Sequence, residues 1–374
     1  MSNSLPALVA GHNRLGFNVF TAAKGAAGDK NVVFSPTSLL FALGMTWNGS
    51  AEITREEQAR VLGLSGMGPE EANDGFSALR RKLVEETPGV EIAEANSLWV
   101  ARSLSLQPAF QELCRRVFGA EVESVDFSDP ATSQAIIGWG LEKTRGKVDL
   151  KPFSAGPLTT LVLINAIFFQ GLWTEPFDLE LTQEKRFTLP DGTWKKVPMM
   201  SRTGELEAIE DEDFQAVRLP YGKERRFVFE AYLPARKKTL PDLLAHLTAD
   251  RWECLASAFE PVHRGTLDLP RFAFSWMVDL IEPLKKLGMK AAFGSEADFT
   301  PMMPGSSAIT QAFQKARIEL DEKGTTAAAV TVIALSRSLP AFQMSLDRPF
   351  FWAIRDLDTG AALFLGVVAD PTAG

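Results

Sequence analysis

At 374 residues the chain has room for two or three average domains or one large mixed fold, and 45% apolar residues, with 26 Phe and 8 Trp, supply a sizeable core. A net charge of −8 argues against a general nucleic-acid binder, and no apolar run reaches the length of a membrane span, so neither nucleic acid nor membrane is an expected partner. The opening Met1-Ser2-Asn3-Ser4-Leu5-Pro6 lacks the basic and apolar regions of a signal peptide, so the expected location is the cytoplasm or a site reached by an unseen route.

In chain order, Leu8, Leu15, Phe17, Val19 and Phe20 mark the apolar side of a helix from about residue 8 to 23. Val32-Val33-Phe34 reads as a short buried strand. Ser35-Pro36-Thr37-Ser38 then starts a helix through Trp47 that is apolar on every side and therefore central. Asn48-Gly49-Ser50 ends it; the triplet is a glycosylation sequon, but a turn explains it better. Helices are expected at 54–62, from Pro69 through Leu83, and from Pro108 to Phe118. Strands are expected at 91–100 and 121–127, and a helix at 134–144. Arg80-Arg81-Lys82 reads as a solvated face beside Glu85-Glu86, not a polyanion site.

Leu158 to Phe169 is the strongest buried strand, with Asn165 its one conspicuous polar side chain. A buried Asn needs hydrogen bonds, from a specific network or from local satisfaction. Strand-like pieces with turns at Asp191-Gly192, Tyr221-Gly222 and Pro234 follow, and one helix is expected at 240–259. Leu269 to Phe274 reads as strand, 281–287 as helix, 308–320 as strand, and 350–354 and 362–368 as two last strands. Cys114 and Cys254, the only cysteines, are expected as two buried free thiols. Helices dominate the first half and strands the second, with no linker or repeat, so the expected class is α+β in one domain, residues 1–374.

The chain is organised around Glu322-Lys323-Gly324-Thr325-Thr326-Ala327-Ala328-Ala329 and the residues to Pro340. A charged turn and a glycine suit a hinge. The alanines favour helix while Val330 to Ile333 favour strand, so the segment suits two conformations, or is an ordinary surface loop beside a core strand. As a strand it shows two uncharged faces with small leading residues, which can slide between existing strands without burying a charge. Ser336-Arg337-Ser338-Leu339-Pro340 reads as an exposed loop open to proteases. Nothing marks an enzyme: the three histidines, His12, His246 and His263, sit in no catalytic or metal-binding motif, and HExxH, GxSxG, Walker A and GxGxxG patterns are absent. No metal or cofactor is expected.

The hinge run resembles that of inhibitory serpins, and the agreement continues along the chain. Asn31 to Ser38, Leu163 to Trp173, Val197-Pro198-Met199-Met200, Leu269-Pro270-Arg271, Asp298-Phe299-Thr300, Asp347-Arg348-Pro349-Phe350 and Phe364 to Val368 stand in serpin order and spacing. The resemblance implies three β-sheets, eight or nine helices, and a hinge and reactive loop over 322–346. It implies a monomeric suicide inhibitor of serine proteases, or alternatively a non-inhibitory carrier, chaperone or substrate on the same fold. Ser35, Pro36, Ser38, Asn165 and Gln314 correspond to the shutter where the main sheet parts; Gln314 stands where the family often has histidine. Trp173, Arg271 and Glu322 correspond to the breach at its top. Spacing from the hinge puts the scissile bond after Ser338, with Leu339 following, which suits elastase-like or subtilisin-like targets. Side-chain chemistry favours the bond after Arg337, with Ser338 following, which suits a trypsin-like pocket.

Overall fold

In the computed structural model the described residues are 4–305, 307–324 and 341–373. The first half is mostly helical: α1 (Ser4–Ala27), α2 (Pro36–Asn48), α3 (Glu52–Leu62), α4 (Pro69–Leu83), α5 (Pro108–Phe118) and α6 (Pro130–Lys143), interleaved with β1 (Val32–Phe34), β2 (Val90–Ala101), β3 (Glu121–Val125) and β4 (Leu161–Gly171). Proline opens α2, α4, α5 and α6, where its missing N–H is not needed. The Ser35 hydroxyl accepts from the Ser38 N–H and caps α2. Every residue of α2 from Pro36 to Trp47 is buried. Its Leu, Phe and Met side chains each contribute about 1.5–3 kcal/mol by leaving water, which makes α2 the pillar of the core.

The second half holds β5 (Gln183–Thr188), β6 (Trp194–Glu210), β7 (Phe214–Pro220), β8 (Phe227–Pro234), α7 (Leu240–His246), α8 (Ala249–Leu255), β9 (Glu260–Pro270), β10 (Phe272–Asp279), α9 (Ile281–Lys286), β11 (Gln311–Leu320), β12 (Phe342–Ser345), β13 (Phe350–Asp356) and β14 (Ala362–Val368). One sheet runs β10-β11-β4-β2-β3. Its central pair, β4 and β11, is parallel, in register from Gln311 opposite Val162 to Arg317 opposite Phe168. The other network runs β1-β14-β13-β8-β7-β6-β9-β12, with β5 also on β6. The long β6 joins its two parts. Trp194 to Met199 pair with β5, and Glu207 to Glu210 pair with β7 beyond a register shift near Gly204.

Strand β4 is buried on both faces, which is why it reads as an unbroken apolar run. Leu161, Leu163, Ile167 and Phe169 face the main core with α2, whereas Val162, Ile164, Ala166 and Phe168 pack with Ile136, Trp139 and Phe313 under α6. Three expectations need correction. The strand starts at Leu161, not Leu158, whose side chain is 92% exposed. The helix expected at 240–259 is two, because the chain breaks at Leu247 and Thr248 caps a new start through the Arg251 N–H. Of the two free thiols only Cys114 is buried; Cys254 is exposed, since short α8 turns Trp252 inward and the position two residues on outward.

Candidate functional site

The five residues expected at the shutter meet beneath the β4–β11 pair. Gln314 on β11 stands opposite Asn165 on β4, and both are fully buried above the N-terminus of α2. The Gln314 amide engages the Ser35 backbone twice: Oε1 accepts from Ser35 N at 2.6 Å and Nε2 donates to Ser35 O at 2.9 Å. The Ser35 hydroxyl donates to Leu363 O on β14 at 2.7 Å. Asn165 Nδ2 donates to Ser38 O at 3.4 Å and to Asn96 Oδ1, while its own Oδ1 is buried without a partner. Pro36 fixes the helix start between the two serines.

Two further members escaped the sequence reading. On β2, Asn96 Nδ2 donates to Glu94 Oε1 at 2.9 Å, and Ser38 Oγ donates to the same oxygen at 3.3 Å. The signal was present: Ile92, Glu94, Asn96, Leu98 and Val100 form one alternate set, apolar except at these two positions. Although the residue is only partly buried, burial pushes the Glu94 carboxyl up to about 7, against hydrogen bonds from Asn96 and Ser38 and the charge of Arg80. His12 lies on another side of α2, with Nε2 3.1 Å from Ala362 O, and burial pushes it down to about 4. It is bonded to Thr37, not to the β4–β11 pair.

The residues expected at the breach also come together. Arg271 Nη2 lies 2.5 Å from Glu322 Oε1, which also accepts from Thr182 Oγ1 at 2.7 Å. Burial pushes the Glu322 carboxyl up, but the bonds from Arg271 and Thr182 outweigh it and hold the group below the usual carboxylate range. Arg271 is 42% exposed, so the pair's net contribution is small, about 0–1 kcal/mol. Trp173 is held more firmly: its backbone N–H donates to Lys323 O, its indole N–H donates to Asp321 O, both at 3.0 Å, and its ring stacks on Tyr221 at 4.4 Å. Gly324 has φ +117°, and a Cβ there would fall 2.3 Å from Gly171 O, so only glycine fits. The chain leaving β11 is thus pinned to the end of β4.

Thr325, Thr326, Ala327, Ala328 and Ala329 of the hinge, and Arg337, Ser338 and Leu339 around the proposed scissile bond, lie outside the described residues. Among the described residues no cluster of three or more His, Cys, Asp or Glu side chains is placed to hold a metal, and no helix is long and apolar enough to cross a membrane. A cavity of about 730 Å³ beside Lys24, Leu240, Leu244 and Arg348 shares no lining residue with the shutter or breach.

The family model for serpins (serine protease inhibitors) matches residues 10–371. Serpin-Z1C of Triticum aestivum is 33% identical, over 96% of this chain and 94% of its own length. Glia-derived nexin of Mus musculus is 33% identical, over 99% and 94%. Among solved structures, human thyroxine-binding globulin with its hormone superposes with a TM-score of 0.92 at 27% identity, over 99% of this chain and 100% of that one. Native protease nexin-1 with heparin gives 0.90 at 29% identity, over 99% and 100%.

Proposed function

The chain belongs to the serpin family, and from that premise we propose that it inhibits serine proteases by inserting its own cleaved loop between β4 and β11. One observation carries the reading. The two strands are hydrogen-bonded to each other with nothing between them, and β11 runs straight into the turn at Asp321–Gly324 at the top of that gap.

The chemistry is shared between partners. The protease serine attacks the carbonyl of Ser338 or Arg337, the peptide bond to the next residue breaks, and the new amine takes the proton held by the protease histidine. An ester then joins this chain to the enzyme. Cut at its far end, the loop is free to enter the sheet, carrying the enzyme away from the breach and deforming its active site before water hydrolyses the ester. Rapid entry requires that Thr325 to Ala329 bury no charge and no bulk, which their side chains satisfy. Arg271, Glu322 and Trp173 hold the top of the gap closed beforehand, and Ser35, Pro36, Ser38, Asn165 and Gln314 hold its middle.

The test is incubation with trypsin, elastase and subtilisin, followed by denaturing electrophoresis and mass analysis of the released fragment. A denaturant-resistant complex is expected, with a fragment beginning at Leu339, or at Ser338 if Arg337 directs cleavage. The likeness to thyroxine-binding globulin keeps a second reading in view, a non-inhibitory carrier. Cleavage by every protease with no complex would favour it.

A further inference from the structure

Both edges of the β4–β11 gap are tied to one helical turn. Gln314 ties β11 to Ser35, while Asn165 ties β4, and Glu94 ties β2, to Ser38. Admitting a strand moves the edges from about 4.8 Å to about 9.6 Å apart, a greater change than a hydrogen bond survives. Ser35 and Ser38 are three residues apart in one helix start, so at least one tie must release. The Gln314 tie contains no ionisable group. The other ends on a carboxyl.

We propose that Glu94 is a positioning residue of this gate, and that the charge on its carboxyl sets how readily β2 and β4 leave α2 to admit a strand. The proposal rests on the insertion reading above and concerns its regulation. Neutral, Glu94 accepts from Ser38 and Asn96 and leaves no charge in the core side of the sheet. Ionised, it is a stronger acceptor but carries a charge that its surroundings compensate poorly. Strand β4 and helix α2 contribute no ionisable side chain. On β3, Glu123 is exposed, while Glu121 turns to α6, accepting from Trp139 and pairing with Lys143. On β2 itself, Glu91 turns to Arg145. Helix α4 supplies Arg80, whose charge acts on Glu94 from the side, and His12 reaches Thr37 on α2. Parting the sheet exposes Glu94 to water, which favours the ionised form, so the gate loosens as pH rises. The position of the carboxyl titration, about 7, puts this change near neutrality. His12, at about 4, titrates well outside that window.

If opening restores Glu94 from about 7 to its ordinary 4.5, the ceiling on the change in opening equilibrium is about 300-fold. The probe is a synthetic peptide of the sequence of residues 325–338, acetylated and amidated so that it has no titrating group near neutrality. Its rate of annealing to the intact protein is followed at pH 6, 7 and 8. The rate is expected to rise severalfold, to a ceiling of about tenfold, from pH 6 to 8 in the wild type, and to stay flat in Glu94→Gln at a value below the wild type at pH 6. Should Glu94→Gln not fold, Ser38→Ala removes a hydrogen bond that holds the carboxyl down and is expected to move the rise to higher pH, and a profile left where it was would count against Glu94. A flat wild-type profile, an unchanged slope in the variant, or no annealing at any pH overturns the proposal. Annealing that follows pH as expected, with no protease complex formed, supports the gate and refutes the inhibitor reading alone.

Discussion

Replacing Gln314 by Met tests whether the shutter is held by hydrogen bonds or by packing, because the side chain keeps its length and loses only the amide. In the wild type the amide satisfies both backbone groups of Ser35, at 2.6 and 2.9 Å, at a site with no exposed surface. The two losses are unequal. Ser35 O still accepts from Leu39 N at 3.2 Å, whereas Ser35 N is left a buried donor without an acceptor, which costs about 1–3 kcal/mol. We therefore expect Gln314→Met to lose about 2 kcal/mol in urea unfolding at pH 7. If the loss falls on the closed sheet alone, the peptide-annealing rate rises by up to about 30-fold. A stability within about 0.5 kcal/mol of the wild type, with unchanged annealing, would refute the view that this amide ties β11 to α2.

Other expectations follow from the same geometry. Thr325→Arg should turn inhibitor into substrate, since a charge would have to enter the sheet; the measure is the number of inhibitor molecules consumed per protease trapped, and an unchanged value counts against insertion. Gly324→Ala should displace the hinge from Gly171 and Trp173, seen as a changed Trp fluorescence and a lower melting temperature; unaltered spectra would show that this contact is absent in solution. Acid should destabilise the protein through His12. The unfolded chain takes up a proton near 6.5 and the folded chain only near 4, so His12's own contribution is full above 6.5 and falls by up to about 3 kcal/mol as pH drops to 4, while Glu94, held up at about 7, works in the opposite direction. His12→Gln should remove that part of the pH slope in urea melts, and a variant with the wild-type slope would assign it elsewhere.

Much of this was legible in the sequence, and the reasons differ by element. Strand β4 declared itself because burial on both faces leaves no alternation to misread. Helix α2 did so through its Ser-Pro start and its lack of any polar side. The start of α5 follows from Pro108, a local signal that needs no partner. The break between α7 and α8 was missed because Thr248 is a cap only if the chain has already turned at Leu247. The exposure of Cys254 depends on which side of a short helix meets the core, and short helices have little periodicity to show it. Gln314 could be placed in the shutter only through resemblance, while its grip on Ser35 depends on two strands and a helix distant in sequence. Glu94 was hidden differently: an acidic residue in a strand reads as solvent-facing until the neighbouring strand and helix are in place.

The direction of β11 beside β4 decides what any returning chain must do. The two strands run parallel, so a segment that turns back at Gly324 and descends between them lies antiparallel to both. One slanted ladder would give way to two perpendicular ones, of the kind that is slightly more stable per residue. The new neighbour of β11 would also be the next stretch of chain, whereas its present neighbour comes from the far end of a long crossover. If that segment inserts, the closed sheet holds the costlier of the two pairings, and its lifetime would be set by how slowly an existing ladder gives way.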